Sequence, residues 1–404
     1  MKSESSIVQQ RAVYAAIVVC LCFMVPLLWM PAVLGVLSQG YGLSTGDISR
    51  LAFVELAGTL LGTLYSSGKS IPQFKRWMLI ACVLVVASNG WLAVLGAHKP
   101  SLVARLIAGL GEGLGYGYGL KVCSASARPT RNFGILTGLM SALMIAGFQL
   151  TAGLLQYHAA HGVAQAAAAM VVAKWIFDTY AAAAAAAFLI YWTHRPPAGE
   201  SQAAATGSGR RIPAPLVLIG LLAIGLAFMG DGGVWTLLQT LGTSHGFTVA
   251  SVANAMSAFA IAGVVGSFTM SALPRRVPSW IIASAALLTL WCGLYALYAP
   301  RSLAWYVVGC AVGGFYWNFI LTLILGLIAQ IDRSGQGSVL GGMMSCAGSA
   351  LGALLAGQLI HNGDYAPVGW MAGGLCLGGL LCTCAVERWL PVEPILPPAE
   401  PIPV

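Results

Sequence analysis

Twelve apolar runs, each close to the roughly 20 residues that a helix needs to cross a bilayer, divide this sequence. The first six span about 14 to 37, 48 to 67, 77 to 97, 102 to 123, 133 to 156 and 168 to 192. The second six span about 215 to 239, 250 to 272, 279 to 299, 304 to 329, 338 to 360 and 367 to 389. The first run is too long, and too poor in a small-residue cleavage site, to read as a signal peptide, so it is expected to remain as a span. Only 8% of residues are charged, against roughly 25% in soluble domains. That shortage excludes a soluble enzyme, a disordered regulator and a nucleic-acid module. The net charge of +8 comes from short basic clusters between apolar runs, without the interleaved aromatics of a nucleic-acid surface.

Residues 193 to 213 are rich in Pro, Gly, Ser and small polar residues and have nothing to bury. They read as a linker between an N-terminal unit, 1 to 192, and a C-terminal unit, 214 to 404, the latter with a short Pro-rich tail. Placing the N-terminus in the cytoplasm puts fifteen of the 20 Lys and Arg on the inner side. Both termini and the linker are therefore expected inside. All ten cysteines fall in apolar runs or at their edges and read as packing residues rather than disulfide or metal ligands. His158 and His161 lack a third ligand for a metal.

The chain repeats itself at an offset of 204, which sets Gly42-Leu43-Ser44 on Gly246-Phe247-Thr248 and Gly62 on Gly266. The same offset sets Gly109 on Gly313, Gly153 on Gly357, and Lys75-Arg76 close to Arg275-Arg276. With six spans in each unit, both units keep one orientation, as in parallel repeats about an axis along the membrane normal.

Twelve spans, a 6+6 repeat, a cytoplasmic central loop and the basic pairs resemble the major facilitator superfamily of secondary transporters along essentially the whole chain. Arg105-Leu-Ile-Ala-Gly109 looks like the family's R-x-x-x-G element. Two family motifs are incomplete: the loop GTLYSSGKSIPQFKR lacks an Asp, and the fifth span has Gly138 and Gly147 but no Gly-Pro pair. The resemblance implies an all-α membrane protein of two pseudo-symmetric six-helix halves, with the first, fourth, seventh and tenth spans lining a central cavity.

Pro26 and Pro31 in the first span lie in register with Gly230 and Trp235 of the seventh, a pattern that points to broken helices around a binding site. Acids inside spans are costly and tend to face a wet pathway or a partner. Glu112 and Asp231 are accordingly the candidates for proton coupling, with Arg105, seven residues before Glu112 on one face of the fourth span, as partner to that carboxyl. Glu55 is open between cavity and packing. Lys174 and Asp178, one turn apart, read as a structural ion pair. Trp29, Trp235, Gln239, Tyr316 and Asn318 are candidate substrate-cavity residues, with Trp317 between the last two. Glycines at 109, 111, 113, 115, 117 and 119 strip side chains from a membrane helix rather than form a nucleotide loop.

The sequence thus predicts a monomeric secondary transporter of the cytoplasmic membrane. Its partners are a small organic solute, protons and lipid, and no cofactor, metal or nucleic acid is expected. A drug or metabolite efflux antiporter of the same fold is an alternative. A membrane-embedded enzyme acting on a lipid is a distant one, because no clustered nucleophile, His-acid pair or metal set is present.

Overall fold

A computed structural model describes residues 2–94, 101–124, 126, 129–194, 214–272, 279–299, 302–331, 336–361 and 363–389. Those residues form twelve α-helices and a short 3-10 turn, with no strand among them. The first six helices are α1 (Lys2–Tyr41), α2 (Thr45–Ser67), α3 (Phe74–Val94), α4 (Leu102–Ser124), α5 (Pro129–Ala160) and α6 (Gln165–His194). The last six are α7 (Ala214–Ser244), α8 (Val249–Ala272), α9 (Ser279–Tyr298), α10 (Leu303–Ile331), α11 (Gln336–Leu359) and α12 (Ala366–Trp389).

Nine of these helices are long and apolar enough to cross a membrane over their described residues. Their outward faces carry residues such as Leu218, Leu381, Leu189 and Phe268, all exposed, which is the surface that hydrocarbon and not water would cover. The chain is a multi-pass membrane protein. The helix α4 falls outside the nine; it carries Arg105, Glu112 and Lys121 and its glycine run.

The repeat is visible in the local geometry. Gly42 and Gly246, equivalent at the 204 offset, both take positive φ, 62° and 81°, a left-handed conformation that glycine enters without a Cβ clash. Two residues on, Ser44 Oγ accepts from Asp47 N at 3.2 Å and Thr248 Oγ1 accepts from Ser251 N at 3.2 Å. Each repeat therefore leaves its first helix through the same turn and starts the second with the same N-cap.

Close packing follows the glycines. A Cβ on Gly109 or Gly113 would collide with the carbonyl oxygens of Glu55 and Thr59, and one on Gly58 or Gly62 with those of Leu106 and Leu110. Backbone thus meets backbone between α2 and α4. In the second set, Gly266 and Gly314 bring α8 and α10 together against Phe315 and Phe259 in the same way.

The two sets of six meet mainly along α2–α11 and α5–α8. Gln149 Nε2 on α5 donates to Asn254 Oδ1 at 2.9 Å and to Ser257 Oγ at 2.8 Å on α8. Gly35 of α1 accommodates the Gln239 side chain of α7, while Gly342 of α11 receives Leu120 and Tyr116 of α4. The first of these contacts lies towards the α1–α2 and α7–α8 loops and the second near the opposite face. The sets are closed on each other near both ends.

Two expectations change. Several helices outrun their apolar cores, α1 and α7 most clearly, because backbone hydrogen bonding continues beyond the hydrocarbon-length stretch. The proline and glycine interruptions do not break their helices: α1 runs on through Pro26 and Pro31, and α7 runs on through Gly230–Gly233. In α7 these glycines serve close packing, with Gly232 against Ser349 of α11 and Gly230 against Ala372 and Cys376 of α12. Residues 195 to 213 of the linker, and Arg275 and Arg276, lie outside the described residues.

Candidate functional site

The first site is built around Arg105 in α4. Its Nε donates to Glu55 Oε2 at 3.0 Å, its Nη2 donates to Glu55 Oε1, and its Nη1 donates to Asn89 Oδ1 at 2.9 Å. Asn89 is held in turn by its Nδ2, which donates to Val85 O at 2.9 Å. The guanidinium carbon sits 5.5 Å from the centre of the Phe177 ring on α6. All three polar residues are buried. One guanidinium thereby ties α2, α3, α4 and α6 together, using the planar fork that a lysine lacks.

This arrangement corrects the pairing expected for Arg105. None of its bonds goes to Glu112, about 10 Å further along the helix, and the guanidinium acts on that carboxyl only through space. Glu55 faces Arg105 across the glycine-tight α2–α4 seam and takes the bidentate position. Glu55, open from sequence, is therefore an ion-pair partner.

Glu112 is left almost without partners. Its Oε1 is buried with no hydrogen bond, and its Oε2 has only a 3.5 Å contact from Thr59 Oγ1. That hydroxyl is better placed to donate to Glu55 O, at 3.0 Å. The carboxyl is electrostatically felt by Cys346 of α11, on the other set of helices. A lone buried carboxyl near the seam between the two sets is costly unless it can take up a proton or a ligand.

The second site lies wholly within α7–α12. Asp231, half-buried, lines a cavity with Trp235, Phe259, Leu294, Tyr316 and Cys376, and no hydrogen bond or ion pair reaches its carboxyl among the described residues. The cavity leaves about 20 Å³ to the centres of water-sized molecules, room for roughly one water. A smaller cavity of about 10 Å³ lies in the first set, lined by Pro26, Met30, Leu34, Glu55, Arg105 and Tyr180.

The other candidates separate. Trp235 packs against Phe259 and Trp317 at 4.9 and 5.4 Å between ring centres, and against Phe148 of α5 at 5.8 Å, so it lies at the seam between the two sets. Gln239 is also at that seam, with Nε2 buried and unbonded. Trp29 is taken up by packing: its Nε1 donates to Leu143 O at 2.8 Å and its ring stacks on Trp175. Asn318 sits against Gly263 of α8. Lys174 and Asp178 pair at 3.2 Å, both half exposed on α6.

No protein-family profile matches the chain, and no curated protein matches its sequence. Solved structures do match. The human organic anion transporter MFSD10 (TETRAN) superposes with a TM-score of 0.62 over 93% of this chain and 99% of its own, at 17% identity. A point mutant of the nucleoside transporter NupG superposes with a TM-score of 0.65 over 94% and 99%, at 13% identity. The chain has the major facilitator superfamily fold.

Within this major facilitator fold, the two acids expected to couple protons do not share one cavity. Glu112 lies on α4 near α11, whereas Asp231 opens between α7, α9, α10 and α12. Sequence reasoning also missed Asn89, Phe177 and Tyr180. An Asn deep in the apolar run of α3 was the one signal available for them.

Proposed function

We propose that the protein is a secondary transporter that moves a small organic solute across the cytoplasmic membrane by alternating access, with both termini cytoplasmic. Glu112 is the carboxyl that gains and loses the coupling proton. The observation that carries this reading is the burial of Glu112 with one unbonded oxygen, close to the seam where the two sets of helices must part. A proton neutralises it while the seam is closed; opening hydrates it and lets the proton go. Arg105 is held by Glu55 and Asn89, so it fixes the frame in which Glu112 works and leaves the proton to Glu112.

The solute would sit against the aromatic seam of Phe148, Trp235 and Trp317, where Gln239 Nε2 and Trp317 Nε1 are buried donors without acceptors. Unsatisfied donors beside aromatic faces suit a flat solute that carries acceptors. The two structural neighbours are named for organic anions and nucleosides, and both classes offer acceptors of this kind.

The test is uptake into proteoliposomes under an imposed proton gradient, screened with radiolabelled organic anions and nucleosides. A hit should be accumulated by the wild type, whereas Glu112→Gln should still exchange the solute but fail to accumulate it. Equal accumulation by Glu112→Gln would remove Glu112 from the mechanism.

A further inference from the structure

The two cavities occupy the same place in the two repeats. At the 204 offset, Met30 and Leu34 of the first fall on Val234 and Leu238 of the second, and Glu55 falls on Phe259. The first cavity is complete: an acid, Glu55, is met by a built-in cation, Arg105, beside the Phe177 ring. In the second, the position of Arg105 is taken by Gly309.

No side chain fits at Gly309. A Cβ there would lie 2.7 Å from Leu297 Cγ and 2.8 Å from Leu297 N on α9, so the missing side chain is what lets α9 close the cavity. An acid remains, one residue after the Pro26 equivalent, in the form of Asp231. The Lys and Arg residues of 214 to 404 are Arg275, Arg276, Arg301, Arg333 and Arg388, all between apolar runs or at the end of one. Among the described residues, the titratable groups close enough to feel Asp231 are Tyr298 of α9, Tyr316 of α10 and Cys376 of α12, none of them a cation. The second cavity therefore has an acid, placed on α7 instead of on the second helix of the repeat, and a more aromatic wall than the first, and its lining holds no cation.

We propose that this cavity binds an ammonium-type monocation at Asp231: ammonium itself, or the head of a small primary amine. The cation does in the second repeat what Arg105 does in the first. A single carboxylate with the rings of Trp235, Phe259 and Tyr316 suits a nitrogen cation, which gains from aromatic faces. Sodium or potassium would need several oxygen ligands, and the aliphatic walls at Leu290, Leu294 and Leu297 supply none. Room for about one water admits an ammonium head and is tight for a guanidinium. The inference deepens the transporter reading by adding a cation site apart from the aromatic seam, yet its test needs no transport.

Equilibrium dialysis of radiolabelled methylammonium against the purified full-length protein, at constant ionic strength, measures the site. The wild type should bind one equivalent saturably, ammonium should displace it, and sodium and potassium should not. Asp231→Asn should weaken binding at least about tenfold, and Trp235→Leu by a smaller factor. Asp231→Glu keeps the charge and guards against a folding defect in the first variant; it should retain binding. Asp178→Asn, which changes a half-exposed acid outside both cavities, should bind as the wild type does. Absence of saturable binding, equal binding by folded Asp231→Asn, or equal displacement by potassium would each overturn the proposal. Methylammonium binding in a protein that transports nothing would uphold the site while removing the transporter reading. Proton-driven transport of another solute without such binding would do the reverse.

Discussion

Arg105 and Glu55, fifty residues apart in sequence, form a buried bidentate ion pair across the tightest helix seam in the first repeat. The guanidinium has a second anchor in Asn89, which is neutral, so breaking the pair leaves a buried cation with no charged hydrogen-bond partner among the described residues. Glu55→Gln should therefore lower stability by about 3–5 kcal/mol, while joint replacement of Arg105 by Met and Glu55 by Leu should recover most of it. Arg105→Lys, which keeps the charge and loses the fork, should fall between. Thermal unfolding in detergent reads all three; a wild-type melting temperature for Glu55→Gln would deny the pair its structural role.

The glycine seam makes a graded prediction. Gly113→Ala places a methyl group against the Thr59 carbonyl, which belongs to backbone and cannot swing away, whereas Gly138→Ala meets nothing within 4 Å. The first should cost about 1–3 kcal/mol, and the second should be neutral or slightly stabilising. Equal melting temperatures for the two variants would contradict the backbone contact between α2 and α4.

Membrane orientation is checked by reporter fusions at residue 205. A cytoplasmic reporter should be active there and a periplasmic one silent, as the inner bias of Lys and Arg requires. An active periplasmic reporter would invert the assignment.

Gln149 and Asn254 bridge α5 and α8 at 2.9 Å, a contact that has to break if the two sets separate at that end. A disulfide between cysteines at these two positions should abolish transport, and reduction should restore it. Full activity in the oxidised form would show that this end never opens.

Much of the fold was legible because bilayer thickness imposes a length on every apolar run, and because the 204 offset joins Gly42 to Gly246 through one shared turn. The site was less legible. Local spacing finds Lys174 with Asp178, since one turn of helix brings them together, but it cannot find Glu55 for Arg105, whose meeting depends on glycines in two helices. Nor does it distinguish Trp29, spent on stacking with Trp175, from Trp235, which lies at the seam. Both are tryptophans within apolar runs, and only the structure shows their different partners. Proline in α1 was misleading for a related reason, because neighbouring helices let a membrane helix continue past it.

The central claim is that the two sets of helices rock about a seam controlled by the charge on Glu112, and paired distance measurements test it without a known solute. Spin labels at His161 and His245 report one face of the membrane, and labels at Gln10 and Arg388 report the other. In bilayers, with native cysteines replaced, double electron–electron resonance should show two distances on each face. As pH changes, one face should lengthen while the other shortens, and Glu112→Gln should hold a single population. A single unchanging distance on both faces at every pH, or an unaltered pH response in Glu112→Gln, would contradict the account.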